Sequence, residues 1–290
     1  MAKRLADIVA HIDNIRQLRA VVTAMRGIAA ARAQQSRGLL AGIESHARIV
    51  ARGIGEAMLL APQPAGGEDI HPQSRKALIL FCAEGGFCGG LSDRVLDEAV
   101  KAADTDIEIL IAGARGATIA QERGIAAGWT TSSANQMGAI PVAAQRIAET
   151  LYRGIAEGRY LRAEIIYPKP VTGAAPQIAR QMLLPLDLER FRVAGRPQAP
   201  LANLPWQVLV ARMAEEYVYA ELCNAATHGF IAENEARMMA MAAARDHIDD
   251  MLAGLVRREH QARQEEITSE IVELSASVAL RHQVLQSRNS

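Results

Sequence analysis

Two long stretches without proline, one near each end of the sequence, most constrain how this chain can fold. The first runs from Leu5 to Leu60 and the second from Trp206 to about Gln286. Because proline interrupts the interior of a helix, each stretch can form one continuous helix, several times longer than an ordinary globular helix in the second case. We therefore predict an α/β chain in which helix dominates.

Apolar residues repeat along both stretches at the spacing of a coiled-coil seam. In the first stretch these residues are Leu5, Ile8, Ile12, Ile15, Leu18, Val22, Met25 and Ala29. Near the other end they are Ile267, Ile271, Leu274, Val278 and Leu285. Steps of three and four place such side chains on one helix face. We predict that the two seams pack together in a long antiparallel coiled coil of the N- and C-terminal helices.

The middle of the sequence has the pattern of a small sheet covered by helices. Short apolar runs predict strands at 77–82, 107–111 and 164–167, with a further candidate at 177–184. Amphipathic segments between them predict helices at 93–103 and 143–157. We expect three domains: an N-terminal coiled-coil helix at 1–62, an α/β head domain at 74–200, and a C-terminal coiled-coil helix at 204–290 that pairs with the first.

Charge and composition argue against several functional classes. Lys and Arg total 32, equal to Asp and Glu at 32, so no net field draws the chain to nucleic acid. No window approaches the roughly 18 to 20 apolar residues of a membrane span. The three cysteines, an odd number, fit reduced thiols. We expect a cytoplasmic protein that reaches a membrane only through partners.

The glycine-rich segment from Gly85 to Ser92 is the sharpest local motif. It follows a predicted strand and precedes a predicted helix, and Gly85 and Gly90 have the spacing of a phosphate-binding loop. Such a loop needs a lysine after its last glycine, where this chain has Leu91. We therefore favour a tight strand-to-helix connection with Ser92 as the helix N-cap. The later pair Gly113 and Gly116 lacks the third glycine of a dinucleotide fingerprint and predicts a plain turn.

The sequence indicates neither a catalytic centre nor a metal or cofactor site. Seven histidines are present, but no two have the i, i+4 spacing that places two metal ligands on one helix face. No serine or cysteine nucleophile can be matched with a histidine and an acid by spacing. We expect no catalytic, metal or cofactor residues.

Two motifs of the last helix resemble the C-terminal signature of the gamma subunit of F-type ATP synthases. They are Glu235-Ala-Arg-Met-Met-Ala-Met241 and Ala262-Arg-Gln-Glu-Glu-Ile-Thr-Ser-Glu-Ile271. The segment from Ala24 to Arg32 supports the resemblance, as does the turn from Phe87 to Leu91. Together these motifs span the chain in the family's order.

The resemblance implies both an architecture and a mechanism. The coiled coil would enter a hexamer of alternating alpha and beta subunits, with a Rossmann-like α/β domain outside it. Ion flow through a membrane c-ring would turn the shaft and drive each beta subunit through its conformational cycle, so the ATP chemistry would belong to beta. The resemblance also implies an epsilon partner and a peripheral position at the cytoplasmic face of the bacterial inner membrane.

Three sets of residues take roles by this resemblance. The family positions that contact beta subunits correspond to Met25, Arg26, Arg263, Gln264, Thr268 and Glu270. The tip seated in an apolar bearing corresponds to Val272, Leu274, Val278 and Leu280. The head-domain turn corresponds to Phe87, Cys88, Gly89, Gly90 and Leu91.

Two departures from the family pattern leave alternatives open. The chain has Ala83-Glu-Gly-Gly86 where the family usually has serine, aspartate, arginine and glycine, and Thr23 where a lysine is usual. Both changes remove positive charge, which leaves open a divergent branch such as the alternate, sodium-linked form. The alternative functions are a small nucleotide-binding α/β protein with a coiled-coil adaptor stalk, and a free-standing coiled-coil adaptor.

Overall fold

The computed structural model describes residues 2–60, 75–102, 106–171, 174–191 and 201–287. The chain divides into two compact units: residues 1–27 with 241–290, called here the coil unit, and residues 28–240, called the sheet unit. Within the described residues no helix is both long and apolar enough to span a lipid bilayer. The three-domain division stays a prediction, and its boundaries at 62, 74 and 200 lie outside the described residues.

Two long helices dominate the structure, as the proline-free stretches predict. Helix α1 spans Ala2–Met58 and helix α5 spans Trp206–Ser287. Helix α5 begins directly after Pro205, whose carbonyl accepts the backbone N–H of Leu209 at 3.1 Å. The carbonyl of a proline just before the first turn can accept the first backbone hydrogen bond of the helix. The proline itself has no N–H group that would be left without a partner.

The coil unit is an antiparallel pair formed by the N-terminal half of α1 and residues 241–287 of α5. Its buried core consists of Ile15, Val22, Met241 and Ile248, and the partly buried residues around it are Met25, Ala244, Met251, Leu252 and Leu255. An ion pair across the two helices joins Arg19 Nε to Asp249 Oδ1 at 2.6 Å. Residues of low number on α1 therefore lie opposite residues of high number on α5.

The predicted C-terminal half of the seam is wrong in register. Ile267, Ile271 and Leu274 are 50%, 60% and 65% exposed, and the side chains of Val278 and Leu285 lie outside the described residues. The Arg19–Asp249 pair places the start of α1 opposite about residue 266, since both helices rise by about 1.5 Å per residue. Helix α5 thus continues past the N-terminal end of α1. The residues of α5 that α1 packs against are 241–255, and not the predicted seam that begins at Ile267.

The sheet unit contains a five-stranded sheet in the order β3-β2-β1-β4-β5. The strands are β1 Arg75–Phe81, β2 Ile107–Ala112, β3 Trp129–Thr131, β4 Tyr160–Val171 and β5 Ala174–Leu184. Strands β1 to β4 run parallel, and β5 pairs with β4 in the antiparallel sense. The connecting helices are α2 Leu91–Ala102, α3 Ala114–Glu122 and α4 Ile140–Ala156. The predicted fold class, long helices with an inserted α/β domain, is confirmed.

Helices cover both faces of this sheet. One face packs on α2 and α3 through a cluster that includes Leu78, Leu80, Val95 and Ala120. The opposite face packs on α4 and on the first part of α5 through a larger cluster that includes Ile79, Phe81, Ile147 and Phe230. Because successive residues of a strand point to opposite faces, the continuous apolar run of β1 supplies both cores.

The structure corrects the two predictions for the glycine loops. Ser92 is not an N-cap: α2 already begins at Leu91, and the Ser92 hydroxyl accepts the N–H of Ala83 at 3.1 Å. Gly113 and Gly116 do not form a plain turn, because Gly113 is the N-cap of α3 and Gly116 lies within that helix. A Cβ at Gly116 would lie 2.0 Å from the Cβ of Cys82, so this glycine allows α3 to pack closely on the end of β1.

Candidate interaction surfaces

The C-terminal part of α5 carries four of the residues predicted to contact a partner. Arg263, Gln264, Thr268 and Glu270 are all exposed. Arg263 Nη2 lies 2.8 Å from Oε1 of Glu259, and the Thr268 hydroxyl donates to the Gln264 carbonyl at 2.8 Å. These contacts stay within one helical turn, so the outward face of the helix can accept a partner. Their contact role stays a prediction.

The predicted bearing tip follows directly on the same helix. Val272 and Leu274 are exposed, whereas the side chains of Val278 and Leu280 lie outside the described residues. The Ser275 hydroxyl donates to the Val272 carbonyl at 2.9 Å, which turns this polar group back onto the helix. The described part of the tip therefore presents apolar side chains to its surroundings.

Met25 and Arg26 face different surroundings although they are neighbours. Met25 is half-buried against the core of the coil unit, and Arg26 is exposed. Consecutive residues of a helix point about 100° apart, which accounts for the difference. Arg26 is thus placed for an external contact, and Met25 also serves internal packing.

The head-domain turn is anchored by buried residues, and it exposes the aromatic side chain of Phe87 to the surroundings. Phe87, Gly89 and Gly90 have positive φ angles of 62°, 52° and 66°. Cys88 and Leu91 are buried together with Ala83 and pack against the partly buried Ala236, whereas Phe87 is 67% exposed. A left-handed conformation is unfavourable for phenylalanine, so the packing of its neighbours keeps this side chain on the surface.

Cys88 is a buried thiol with hydrogen bonds on two sides. Its Sγ–H group donates to the carbonyls of Gly85 and Gly86 at 3.3 and 3.2 Å, and Arg237 Nη2 donates to Sγ at 3.2 Å. Burial, together with the charge of Glu233, raises the pKa of the Cys88 thiol to about 11. The thiol is therefore protonated and unreactive at neutral pH.

Glu233 and Arg237 of α5 hold this loop, and sequence reasoning missed both roles. The Glu233 carboxylate accepts the backbone N–H groups of Glu84 and Gly85 at 3.0 and 3.2 Å. Arg237 pairs with Glu233 at 2.5 Å and donates to the Gly86 carbonyl at 3.2 Å. The i, i+4 spacing of the two residues predicts an ion pair along the helix, but it does not indicate which loop the pair would bind.

The described residues contain no group of His, Cys, Asp and Glu arranged to hold a metal ion. The loop amides that a phosphate would need instead bind a carboxylate of the same chain. The geometry thus offers two separate exposed surfaces, the C-terminal part of α5 in the coil unit and the Phe87 turn in the sheet unit.

The protein-family model described as ATP synthase matches residues 4–279 of the chain. Curated relatives include ATP synthase gamma chains from Nitrosospira multiformis and Leifsonia xyli. The first is 27% identical over 221 residues, covering 71% of this chain and 74% of the relative. The second is 25% identical over 285 residues, covering 91% of this chain and 93% of the relative.

Solved structures with the same fold come from mitochondrial ATP synthases. A chain of the Euglena gracilis enzyme, in an assembly of OSCP, F1 and c-ring, matches with a TM-score of 0.69 at 14% identity, covering 97% of this chain and 96% of that one. A central-stalk and c-ring structure from Tetrahymena thermophila matches with a TM-score of 0.55 at 16% identity, covering 77% and 99%. At these identities the likeness concerns the fold alone.

The family model covers nearly all of the chain, so the chain belongs to the ATP synthase family. The curated relatives quoted above are gamma chains. The interpretation of the chain as a central-stalk subunit of an F-type ATP synthase is thereby confirmed.

Proposed function

We propose that this chain is the rotor that couples transmembrane ion flow to the conformational cycle of the catalytic beta subunits. The observation that carries the proposal is the continuation of α5 beyond α1 with polar and apolar side chains exposed. A single helix without a break transmits a twist along its length, and its exposed side chains can press in turn on a ring of surrounding subunits. The family membership supplies that setting.

The proposed partners are the alpha and beta subunits, the epsilon subunit and the membrane c-ring. One structure of similar fold is part of an assembly of OSCP, F1 and c-ring, and another is part of a central stalk and c-ring. The quoted relatives are bacterial, which supports a peripheral position at the cytoplasmic face of the inner membrane. We further propose that the chain has no catalytic site of its own and that ATP chemistry takes place in beta.

The proposed contact residues are Arg263, Gln264, Thr268 and Glu270 on α5, with Met25 and Arg26 on α1. Arg263 and Gln264 are exposed and lie opposite the N-terminal start of α1. Charged and amide side chains form hydrogen bonds that can be exchanged as one surface moves past another, since water or a new partner replaces each lost contact.

The test is ATP hydrolysis by a complex of alpha, beta and this chain, purified after co-expression. We compare the wild type with the double variant Arg263→Ala, Gln264→Ala. The matched control is Arg212→Ala, Gln207→Ala, which removes the same two residue types from exposed positions in the first turns of α5. We expect the first variant to lower turnover about fivefold, the effect of losing about 1 kcal/mol of contacts, and the control to leave it unchanged.

The outcomes separate the rotor role from the contact residues. A complex whose turnover depends on this chain and falls only in the first variant supports both. Equal turnover in both variants would remove the contact role of Arg263 and Gln264. A complex that does not form, or a turnover indifferent to this chain, would contradict the rotor proposal.

A further inference from the structure

The sheet has a topological switch point between β1 and β4. From β1 the chain proceeds outward to β2 and β3, and it then returns to the other side of β1 as β4. In open α/β sheets, ligands bind outside the carboxyl ends of the strands at such a point, and phosphates bind the loop amides there. The glycine-rich segment that begins at Gly85 follows β1 at this position.

Helix α5 fills this position. A Cβ at Gly229 would lie 3.7 Å from the Cβ of Phe81 on β1 and 3.9 Å from Cδ of Pro168 on β4. One turn further along, Glu233 is buried and directs its carboxylate to the amides of Glu84 and Gly85. A carboxylate with two N–H donors and an arginine beside it has the coordination that a bound oxyanion would have.

A second carboxylate extends this contact to the next two strands. Oε2 of Glu84 accepts the N–H of Ala114 at 3.0 Å and the N–H of Ser133 at 2.6 Å. Ala114 is the first residue of α3, after β2, and Ser133 follows β3. A negative charge at a helix N-terminus is stabilised by the helix dipole and by the free amides of the first turn. We call this pair of residues, Glu233 and Glu84, the carboxylate bridge.

We infer that the Glu233 carboxylate is the resident anion of a phosphate-type loop, and that the carboxylate bridge fastens α5 to the carboxyl edge of β1, β2 and β3. The loop presents the donors of an anion site, and the chain itself supplies the anion. Because this carboxylate is part of α5, it cannot dissociate, and it forms a mechanical joint between the loop and the helix.

The joint has a consequence for coupling, which rests on the proposed rotor function. A twist applied to the sheet passes to α5 through the contacts between the two. Apolar packing allows one surface to slide over another more readily than directed hydrogen bonds do. Loss of the Glu233 carboxylate should therefore loosen the loop and weaken ATP-driven ion pumping, while hydrolysis in beta continues.

Cys88 reports on the state of the loop. Its thiol is buried under Arg237, and its pKa is raised to about 11, first by burial and then by Glu233. Opening of the loop exposes Sγ to water and removes both causes, so the thiolate forms more readily and reacts faster. Cys223 is buried in a different core cluster, that of α4 and α5, and serves as the internal reference in the same chain.

The experiment compares Glu233→Gln with Glu235→Gln in the full chain and in its complex with the other subunits. Glu235 is the matched control because it lies on the same helix, is equally buried and pairs with Arg37 of α1 rather than with the loop. A small maleimide labels the thiols at pH 8, and mass spectrometry follows Cys88. In membranes, the ratio of ion pumping to ATP hydrolysis is measured for each variant.

We expect Glu233→Gln to raise the labelling rate of Cys88 about tenfold or more, the effect of weakening charge-assisted hydrogen bonds. The pumping ratio should fall by about half or more, and Glu235→Gln should change neither quantity. In Glu233→Ala, sodium formate should slow the labelling relative to sodium chloride at equal ionic strength, because formate restores the anion.

Two results would overturn the inference. Labelling of Glu233→Gln as slow as in the wild type would mean that the carboxylate does not hold the loop. Fast labelling with an unchanged pumping ratio would mean that the joint plays no part in coupling. If no complex forms, the rotor proposal fails, while the labelling and formate results on the full chain still decide the carboxylate bridge.

Discussion

At the scale of single residues, His228 is a buried histidine on α5. Its ring stacks on Tyr167 with centroids 5.8 Å apart, and its Nε2 lies 3.7 Å from Oε1 of Glu44. Its Nδ1 atom is buried without a hydrogen-bond partner within the described structure. Burial, with Lys169 adding to it, lowers the pKa of His228 below its ordinary 6.5, and Glu44 opposes this shift. The folded chain therefore favours the neutral ring.

This environment predicts that the chain loses stability in mild acid. Well above pH 6.5 the ring is neutral in both the folded and the unfolded chain, so it does not change the free energy of unfolding. Below pH 6.5 the unfolded chain takes up the proton first, so the free energy of unfolding falls until the pH reaches the folded pKa. Urea unfolding at pH 7.5, 6.5 and 5.5 measures this loss, which we expect to be smaller in His228→Gln.

The control is His247→Gln, since His247 is exposed on the same helix. The free energy of unfolding of this variant should fall with decreasing pH as that of the wild type does. An identical pH dependence in His228→Gln and the wild type would show that other groups, and not His228, are responsible.

Gly113 shows why some residue-scale features were not predictable. Its φ of 129° excludes most side chains, and a Cβ there would lie 2.4 Å from the carbonyl oxygen of Cys82. In the sequence it is one of two glycines near each other, which is equally typical of a plain turn. Only the approach of α3 to the end of β1, a contact between distant residues, distinguishes the two.

At the scale of elements, the strongest sequence patterns located the correct segments. The apolar runs predicted β1, β2, the centre of β4, and β5, because strands buried in a sheet need continuous apolar side chains. Strand β3 has only three residues, too few to show a period, and the nine residues of α3 begin at the glycine pair taken for a turn.

The candidate site was predictable only in part, for a physical reason. The exposed positions on α5, from Arg263 to Leu274, follow from family motifs and from a long helix. The roles of Glu233 and Glu84 depend on loop amides 148 or 149 residues away for Glu233, and 30 or 49 away for Glu84. A sequence pattern records periodicity along one element and carries no information on such pairings.

The seam of α1 gives an element-scale prediction that separates sequence pattern from structure. Ile15 and Leu18 both belong to the predicted seam, but Ile15 is buried and Leu18 is 47% exposed. Ile15→Ala should destabilise the coil unit by about 2 kcal/mol, since it leaves a cavity in the buried core of that unit. Leu18→Ala should cost less than about 0.5 kcal/mol, as is usual for surface positions.

Amide hydrogen exchange in the full chain, resolved by mass spectrometry, measures opening of residues 8–25. We expect about 30-fold faster exchange in Ile15→Ala and about twofold in Leu18→Ala, the factors that correspond to those energies. Equal acceleration in the two variants would support the regular seam of the sequence and contradict the packing described here.

At the scale of the whole molecule, the C-terminal part of α5 is helical although α1 does not cover it. Ile267, Ile271 and Leu274 are spaced for a seam, yet at least half of each side chain is exposed. We propose that this row of apolar side chains, beyond the reach of α1, becomes buried in an assembly. Its apolar residues should contribute to association and not to the folding of the chain.

The triple variant Ile267→Ala, Ile271→Ala, Leu274→Ala tests this separation. In the isolated chain it should change the free energy of unfolding by less than about 0.5 kcal/mol, because little apolar area is lost from any core. In the complex with alpha and beta it should weaken assembly by about tenfold or more, since each truncated side chain that becomes buried there contributes about 1 kcal/mol.

The matched control is Val100→Ala, Val142→Ala, Leu161→Ala, which truncates three exposed apolar side chains of the sheet unit. Assembly is measured as the alpha and beta concentration needed to retain half of the chain on a column. We expect the control to assemble like the wild type. It removes a similar amount of exposed apolar surface, but from positions outside the proposed interface. If the first triple variant unfolds more easily in isolation, the C-terminal part of α5 packs within the chain; if both variants assemble normally, the exposed row is not an interface.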